Sequence, residues 1–391
     1  MDLSTAFSGR SMVTPSPTLA LNETVARLRR QGHDVVSFGA GAPKLPPPRP
    51  ALSALEKIDV ENCSGYGATC GEHELRVALA RFYDAAFERN STEQDFLITV
   101  GAKQALVITL LTLCDVGDKV AVPAPYWPSY VDIAKLLGLK LIPLPAQPSA
   151  NANVQGWVSS MPEDARVLLY SSPSNPDGSV IGDDELDYLS TWALKTNRWI
   201  IADEIYQFQF FGGRLAAPSV LDITDARQCR LVHVSSASKT YSLMGHRIGW
   251  IVATPEVISR CAGIASNLAG NVNRAGQILV AETVRETSCE ELMQRSEILA
   301  RQRDTLWEGL RHVSWLKPLR KPDGGLFIWC EIDGTDAVDS TTLARALLDE
   351  VHVAVVPGVI FGKNDALRFS FTESQSDISK GIARLTAWRT G

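Results

Sequence analysis

The alternation of short apolar runs with helical segments between residues 95 and 253 constrains the fold more than any other feature of this sequence. The apolar runs are FLITV, KVAVP, RVLLYSS, RWIIA and LVHVS, and the run IGWIVA closes the series. Helical patterns, ALVITLLTL, VDIAKLLG and DDELDYLSTWAL, separate the first four runs. Alternation of this kind predicts an α/β fold in which a mostly parallel sheet is sandwiched by helices.

A polar or glycine-rich cluster follows each of the five apolar runs. In chain order these clusters contain GAKQ, APYWPSY, PSNPDG, DEIYQFQF and ASKT. Because the carboxyl ends of parallel strands meet at one edge of a sheet, we expect the clusters to lie close together. Ligands of open α/β sheets bind at this edge, so the sequence predicts one composite site.

The remainder of the chain predicts a smaller α+β domain. Helical stretches over residues 255–268 and 274–313 lead to the strand LFIWCEI, a helix over 341–350, and the strands VAVVP and LRFSF. The proline-rich piece KLPPPRP predicts a linker or an extended arm. We expect an N-terminal arm that is part of the small domain (residues 1–45), a large domain (46–285) and a small C-terminal domain (286–391).

Composition and charge exclude several classes of protein. The net charge of −6, without a basic run, argues against nucleic-acid binding. The sequence has neither an apolar run that could span a membrane nor a signal-peptide pattern at its amino terminus. The seven cysteines form no C-x-x-C, and the six histidines lack metal-binding spacing. We therefore expect a cytoplasmic protein with reduced thiols and no metal site.

Lys239 stands in the cluster SSASKT that follows the last of the five apolar runs. Most lysines in such positions are solvated surface residues, and the local sequence allows this interpretation. A lysine that is desolvated, or that lies near another cation, loses its proton more readily and can form a Schiff base with a carbonyl group. The role of Lys239 therefore depends on what the other clusters contribute.

The other clusters also allow both a structural and a functional interpretation. Residues 101–103 either simply begin a helix or hold an anion with their backbone N–H groups. Tyr126 or Trp127 either covers the sheet edge or stacks on a flat ligand. Asn175 either serves its turn or binds a ligand. Asp203 either caps a helix or pairs with a cation or hydrogen-bond donors.

Two further candidates lie outside the alternating region. Arg368 lies in the apolar strand LRFSF, so its guanidinium needs a carboxylate partner, either from the protein or from a substrate. Tyr66 lies between Gly65 and Gly67. It is either part of a turn before a helix or a phenol presented to a ligand.

Together these motifs resemble those of the class I/II aminotransferases, the fold-type I enzymes that use pyridoxal 5′-phosphate. The most specific motifs are S-x-x-K-x(7)-R, at Ser236, Lys239 and Arg247, and D-E-x-Y, at Asp203 and Tyr206. The N-P-x-G motif, the Gly-Ala-Lys-Gln turn and an R-x-S near the carboxyl end match in order. The sequence is most similar to the branch of prokaryotic aspartate aminotransferases.

The resemblance implies a role for each residue around the cofactor ring. Lys239 would form the internal aldimine, a Schiff base with the cofactor, and would later move a proton between the substrate and the cofactor. Asp203 would pair with the pyridinium nitrogen and keep it protonated. Tyr206 and Asn175 would hydrogen-bond the ring hydroxyl oxygen, and Trp127 would stack on the ring.

The resemblance also implies a phosphate site and a second subunit. The residues expected at the cofactor phosphate are Gly101, Ala102, Lys103, Ser236 and Arg247. Tyr66 would reach the phosphate bound by the neighbouring subunit, which implies a homodimer with shared active sites.

For the substrate, the resemblance implies that Arg368 binds the α-carboxylate and that Gly41 allows close approach of the backbone. Asn175 and Trp127 would complete the substrate site. The expected function is transfer of an amino group from a 2-amino acid to a 2-oxo acid. A lyase, cyclase or oxidase of an amino acid that uses the same lysine and cofactor is the alternative. Related domains also sense the cofactor in DNA-binding regulators, which the acidic charge does not favour.

The sequence departs from the family pattern at two positions near these motifs. Asp177 replaces the usual threonine of N-P-T-G, and Ala42 replaces the usual acidic residue of G-[ED]-P. The sequence therefore leaves the amino acid substrate open.

Overall fold

The structure is a computed structural model that describes residues 8–11, 13, 15–56, 58–145, 153–223, 230–333 and 339–388. Its strands are β1 (Val36–Ser37), β2 (Phe96–Thr99), β3 (Lys119–Pro123), β4 (Lys140–Leu144), β5 (Ala165–Ser171), β6 (Trp199–Asp203), β7 (Leu231–Ser236), β8 (Gly249–Val252), β9 (Leu316–Pro318), β10 (Phe327–Ile332), β11 (Val353–Ala354), β12 (Val356–Pro357) and β13 (Ala366–Ser370). Its α-helices are α1 (Pro17–Arg30), α2 (Arg49–Glu56), α3 (Val60–Cys63), α4 (His73–Phe87), α5 (Gly101–Leu113), α6 (Ser129–Leu137), α7 (Val154–Ser160), α8 (Asp183–Thr196), α9 (Ala237–Thr240), α10 (Pro255–Leu268), α11 (Arg274–Glu286), α12 (Cys289–Leu310), α13 (Ser340–Val351) and α14 (Gln375–Ala387). Short 3-10 helices span Gly9–Ser11, Glu93–Asp95, Met244–His246 and Gly358–Phe361.

The large sheet has the strand order β2-β8-β7-β6-β5-β3-β4. Strand β8 is antiparallel to both of its neighbours, and the other pairings are parallel. Strand β2 therefore runs in the same direction as β3 to β7, and the carboxyl ends of these strands lie at one edge. The prediction of a mostly parallel sheet in an α/β fold is confirmed.

Residues of the central strands are buried alternately on the two faces of this sheet. Val167 and Leu169 of β5 share a hydrophobic core with Leu106 of α5. Leu168, between them, shares a different core with Leu189 of α8. Both faces are covered by helices, which explains why the strands are continuous apolar runs rather than alternating patterns.

A second, smaller sheet of order β12-β13-β10-β9 is antiparallel throughout. Strand β1 pairs in parallel with β11, so the N-terminal segment belongs to this part of the molecule. Val36 and Phe38 are buried in one core with Phe327, Phe369 and Ile378. The predicted smaller α+β part, built from the N-terminal segment and the C-terminal third, is confirmed. The domain boundaries at residues 45/46 and 285/286 stay predictions.

Several local features differ from the expectations. The helical stretch expected over residues 274–313 is two helices, because the Ser288 hydroxyl accepts a hydrogen bond from the Glu291 N–H and caps α12 as a new helix. Arg49 and Pro50, expected in an extended arm, form the first turn of α2, where proline is tolerated. Strands β4 and β9 were not predicted. Within the described ranges, no helix is long and apolar enough to cross a membrane.

Candidate active site

The carboxyl edge of the large sheet carries most of the candidate residues. Gly101 begins α5 just beyond β2, and Asp203 is the last residue of β6. Ser236 ends β7, and Lys239 lies in the single helical turn that follows. Asn175 belongs to the turn after β5, where it is buried. Strand order therefore brings together residues that lie far apart in the sequence.

Backbone and positive charge converge at the start of α5. A Cβ atom on Gly101 would collide with Nη2 of Arg247, so the guanidinium lies directly against this glycine. A Cβ atom on Gly249 would lie 2.6 Å from the Ala102 nitrogen, which shows how closely β8 approaches the helix. Burial, and then the charge of Arg247, lower the pKa of Lys103. A helix N-terminus with two nearby cations is suited to hold a phosphate.

Ser236 and Arg247 are held in place by local backbone geometry. The Ser236 hydroxyl accepts a hydrogen bond of 3.2 Å from the Ser238 N–H and caps the turn that carries Lys239. Arg247 has φ of 57°, in the left-handed region, and Nη1 donates to the Met244 carbonyl oxygen at 3.0 Å. A non-glycine residue in this region is strained by about 1 kcal/mol, and such strain is frequent at functional sites.

The amine of Lys239 lies at the centre of the candidate site. Its Nζ donates a hydrogen bond of 2.5 Å to the Gly41 carbonyl oxygen and lies 5.9 Å from the centre of the Tyr206 ring. Burial, followed by the charges of Arg368 and Arg247, lowers the pKa of Lys239 to about 8. The neutral form of this amine, which a nucleophile or proton acceptor requires, is therefore much more populated near neutral pH than that of an ordinary lysine.

Asp203 is a buried carboxylate with one free acceptor. Its Oδ2 accepts a hydrogen bond of 2.6 Å from the Tyr130 hydroxyl, whereas Oδ1 has no partner among the described residues. Burial raises the pKa of Asp203 to about 6, and the Tyr130 hydrogen bond, followed by the backbone N–H of Ile205, opposes this rise. The alternative that Asp203 only caps a helix does not fit, because no regular helix begins within the next residues.

Aromatic side chains lie next to both Lys239 and Asp203. Trp127 packs edge-to-face on Tyr130, with ring centres 5.4 Å apart, and Nζ of Lys103 lies 5.1 Å from the Trp127 ring centre. Trp127, Tyr130 and Asn175 also line one cavity. Tyr206 is buried, and burial raises the pKa of its phenol. These rings form an apolar wall suited to a flat ligand.

Arg368 is almost completely buried, with 2% of its surface exposed. Nη1 donates to Oδ1 of Asn175 at 3.0 Å, and Nη2 donates to the Gly39 carbonyl oxygen at 2.7 Å. The guanidinium carbon lies 4.0 Å from the Phe327 ring centre and 5.1 Å from that of Phe361.

No carboxylate pairs with Arg368 in the part of the chain that the structure describes. Burial lowers the pKa of Arg368 to about 10, which leaves it charged at neutral pH. Of the two partners that the sequence allowed, a protein carboxylate is not found among the described residues, so pairing with a substrate carboxylate stays a prediction.

Gly41 and Tyr66 have very different positions. A Cβ atom on Gly41 would lie 2.7 Å from Cζ of Phe327, so any larger residue here would displace this ring. Tyr66 is fully exposed, and within one chain it does not lie near the other candidates.

Asp177, the departure from the usual threonine, accepts hydrogen bonds from the N–H and hydroxyl of Ser179 and so stabilises its turn.

Three residues of the site were not found from the sequence. Tyr130, Phe327 and Phe361 contact Asp203 or Arg368 directly. Tyr130 stands three residues after Trp127 in the first turn of α6, so its position near the sheet edge was a usable signal. Phe327 and Phe361 belong to the small sheet region, and only the three-dimensional arrangement relates them to Arg368.

Comparison with known proteins identifies the family to which this chain is similar. The sequence profile described as "Aminotransferase class I and II" matches residues 33–385. An aspartate/prephenate aminotransferase of Thermus thermophilus is 31% identical, over 95% of this chain and 95% of the relative. An aspartate aminotransferase of Streptomyces avermitilis is 28% identical, over 95% of this chain and 93% of the relative.

Solved structures agree with the sequence relatives. The aspartate aminotransferase from Thermus thermophilus with maleate has a TM-score of 0.89 at 28% identity, covering 97% of this chain and 98% of that one. An aminotransferase from Mycobacterium tuberculosis has a TM-score of 0.90 at 26% identity, covering 98% of each chain. These relatives favour amino-group transfer over the lyase, cyclase or oxidase alternative. The chain belongs to the class I and II aminotransferases, and it is an enzyme that transfers an amino group from a 2-amino acid to a 2-oxo acid.

Proposed function

We propose that the site binds pyridoxal 5′-phosphate and that Lys239 is the residue that holds it covalently. The observation that carries this proposal is Oδ1 of Asp203, a buried oxygen without a hydrogen-bond partner in the described ranges. A buried carboxylate oxygen requires a donor, and the protonated nitrogen of a pyridine ring supplies one. When bound, the cofactor supplies an electron sink for the α-carbon of the amino acid.

Proton transfer, protonation of the ring nitrogen and substrate binding are assigned to different side chains. The Lys239 amine, with its pKa lowered to about 8, accepts a proton from the substrate α-carbon and returns it. Asp203, held by Tyr130, keeps the ring nitrogen protonated. Arg368 binds the substrate α-carboxylate in a low-dielectric pocket, where a charge-assisted pair is strong. Asn175 hydrogen-bonds this guanidinium and so orients it.

The phosphate and the ring require the other candidate residues. The N–H groups of residues 101–103, together with Ser236 and Arg247, are proposed to hold the phosphate. Trp127 is proposed to stack on the ring, and Tyr206 to hydrogen-bond its hydroxyl oxygen.

A homodimer with shared active sites is proposed from the exposed side chains that precede Tyr66 in the sequence and from Tyr66 itself. The phenol is fully exposed, and Leu52, Leu55 and Val60 of the preceding helices α2 and α3 are also exposed. A group of exposed apolar side chains is typical of an interface between subunits. We also propose a cytoplasmic location, which the six described cysteines support because each is a free thiol.

A panel of amino acid donors, with 2-oxoglutarate or pyruvate as acceptor, tests the function and identifies the substrate. Aspartate and prephenate appear in the names of relatives, so the panel should contain aspartate, glutamate, aromatic and aliphatic amino acids. We expect steady formation of a new amino acid and conversion of the visible absorbance of the bound cofactor to that of pyridoxamine phosphate. Release of ammonia without an acceptor would contradict amino-group transfer.

The variant Lys239→Ala tests the assignment of the lysine. We expect it to lose turnover and the visible absorbance that bound pyridoxal phosphate shows without substrate. Lys119→Ala is a suitable control. Lys119 is the first residue of β3, at the end of the strand that is far from the candidate site, and it pairs there with Asp164. A variant at Lys239 that retained the band unchanged would show that another residue holds the cofactor.

A further inference from the structure

Residues 39–46, which we call the strap, connect β1 to α2 and lie across the candidate active site. The Gly39 carbonyl oxygen accepts a hydrogen bond of 2.7 Å from Nη2 of Arg368. The Gly41 carbonyl oxygen accepts one of 2.5 Å from Nζ of Lys239. Two carbonyl groups of the strap therefore contact both the proposed carboxylate-binding residue and the proposed cofactor-binding residue.

Beyond these contacts, the strap is attached to the small sheet region and to helix α12. Lys44 forms an ion pair with Glu373, which follows the end of β13 by three residues. The Pro46 carbonyl oxygen accepts a hydrogen bond of 2.7 Å from Nη1 of Arg295 in α12. The side chain of Lys44 has no contact with Lys239 or Arg368 among those that the structure describes, so its effect on them is indirect.

Glu373 is unusual for an acidic residue in an ion pair because its side chain is only 1% exposed, whereas that of Lys44 is 47% exposed. Its Oε2 pairs with Lys44, and Oε1 has no hydrogen-bond partner in the described ranges. An unpaired carboxylate at such a buried position is strongly unfavourable. Glu373 therefore ties Lys44, and with it the strap, to a fixed position.

We propose that the Lys44–Glu373 ion pair is a latch that positions the strap over Lys239 and Arg368 and thereby sets the affinity of the enzyme for its amino donor. This inference rests on the proposed function, because it concerns the same site. Lys44 and Glu373 are positioning residues: they act through the carbonyl groups of Gly39 and Gly41 rather than by touching the substrate.

The expected kinetic effect follows from what the strap contacts. The start of the strap is also held by the backbone hydrogen bond from the Ser370 N–H to Phe38 and by the Thr372 hydroxyl, which donates to the Ala40 carbonyl oxygen. With the latch broken, the Gly39 carbonyl should therefore stay near Arg368 but fix its guanidinium less rigidly, so the substrate carboxylate meets a less ordered partner. This loss affects the bound substrate and the transition state alike, since the carboxylate does not change during the reaction. KM should therefore rise while kcat changes little.

A second effect is expected in the cofactor-free protein. The Gly41 carbonyl accepts a hydrogen bond from the free Lys239 amine and covers it. A strap without its latch should expose the amine more often, so added pyridoxal phosphate should be captured faster. This measurement does not depend on turnover.

The experiment compares Lys44→Gln, Glu373→Gln and the double variant with Lys119→Gln. Lys119 also pairs with a carboxylate, at 2.8 Å from Asp164, but at the edge of the large sheet opposite the site. We expect each single variant to raise KM for the amino donor about tenfold, with kcat within about twofold, and the double variant to match the singles. Capture of pyridoxal phosphate should be several-fold faster, and Lys119→Gln should behave as wild type.

The possible outcomes separate the latch from the function it serves. If the wild-type protein transfers amino groups but the latch variants have the same KM and capture rate as Lys119→Gln, the latch proposal is wrong and the proposed function stands. A wild-type protein that neither forms the visible adduct nor transfers an amino group would overturn the proposed function. Lys44→Gln leaves the buried Glu373 carboxylate unpaired and is the variant more prone to unfold. Because Lys44 is about half exposed, its ammonium can return to water in Glu373→Gln, so this isosteric variant should fold even if Lys44→Gln does not, and it decides the question by itself.

Discussion

The Tyr130 hydroxyl donates a hydrogen bond of 2.6 Å to one carboxylate oxygen of Asp203, and the other oxygen has no partner among the described residues. Both side chains are buried, at 2% and 4% exposure. One oxygen is thus fixed by the protein, and the second is left for a ligand. Tyr130 also opposes the rise in the pKa of Asp203 that burial causes, so it helps to keep the carboxylate charged.

Removing this hydroxyl should weaken cofactor binding. In Tyr130→Phe the carboxylate loses a donor and is protonated more readily, so its pairing with the ring nitrogen weakens. Loss of one hydrogen bond to a charged group predicts a rise of about tenfold in the dissociation constant for pyridoxal phosphate, measured by titration of the visible absorbance.

The matched control for Tyr130 is Tyr170→Phe. Tyr170 is a buried phenol at the end of β5, and its hydroxyl makes no hydrogen bond to the described residues. We expect this variant to bind the cofactor as the wild type does. Equal affinity in both variants and the wild type would mean that Tyr130 is only part of the core.

The reactivity of Lys239 should depend on pH with a midpoint near 8. Its pKa is lowered to about 8, first by burial and then by the charges of Arg368 and Arg247. Because the neutral amine is the nucleophile, the rate at which cofactor-free protein captures pyridoxal phosphate should rise as pH increases through this value and then level off. Stopped-flow absorbance over pH 6 to about 10 measures the midpoint, relative to about 10.4 for an ordinary lysine.

The variant Arg368→Leu gives an internal check on the cause of this shift. It removes one of the two cations that lower the pKa of Lys239, so the midpoint should move to higher pH. A wild-type midpoint near that of an ordinary lysine would support the solvated-lysine interpretation that the sequence alone allows.

The sequence predicted the parts of this site that depend on local order along the chain. Asp203, Ser236 and Lys239 were located because each stands at or just after the end of an apolar strand, and parallel strands place their ends at one edge. The fold class followed from the same alternation. Residue types at strand ends were thus sufficient to predict a composite site.

Contacts between the two parts of the molecule could not be predicted in the same way. The hydrogen bond from Arg368 to Asn175 joins residues 193 positions apart, and that from Lys239 to Gly41 joins residues 198 apart. No periodic pattern encodes such pairs, because they depend on how the small sheet packs against the large one. The break at Ser288 had a local signal, Ser-x-x-Glu, that the long helical periodicity obscured.

Replacing Arg368 should weaken binding of the amino donor more than it destabilises the fold. Arg368→Lys keeps the positive charge but loses the planar fork that pairs with a carboxylate in two hydrogen bonds. We expect KM for the amino donor to rise on the order of 100-fold, with a smaller change in kcat. Steady-state kinetics with the best donor of the panel would measure both constants.

Arg303→Lys is the control for this substitution. Arg303 also lies over an aromatic ring, at 4.5 Å from the centre of Phe211, but it pairs with Asp304 of the same helix. We expect its kinetics to be close to those of wild type. If both arginine variants had unchanged KM, Arg368 would be a structural residue and the substrate carboxylate would bind elsewhere.

Tyr66 should act on the active site of the neighbouring subunit. Its phenol is fully exposed and contacts none of the candidate residues of its own chain. Tyr66→Phe should therefore reduce the affinity for pyridoxal phosphate several-fold, through loss of one hydrogen bond to the phosphate.

Hybrid dimers distinguish action within one subunit from action across the interface. One subunit carries Lys239→Ala with an intact Tyr66, and the other carries Tyr66→Phe with an intact Lys239. If the phenol reaches across the interface, the one site with a lysine also has a tyrosine, so it should bind the cofactor with wild-type affinity. If Tyr66 acts within its own subunit, that site keeps the weakened affinity of Tyr66→Phe. A protein that is monomeric in sedimentation analysis at working concentration, yet fully active, would contradict the shared site altogether.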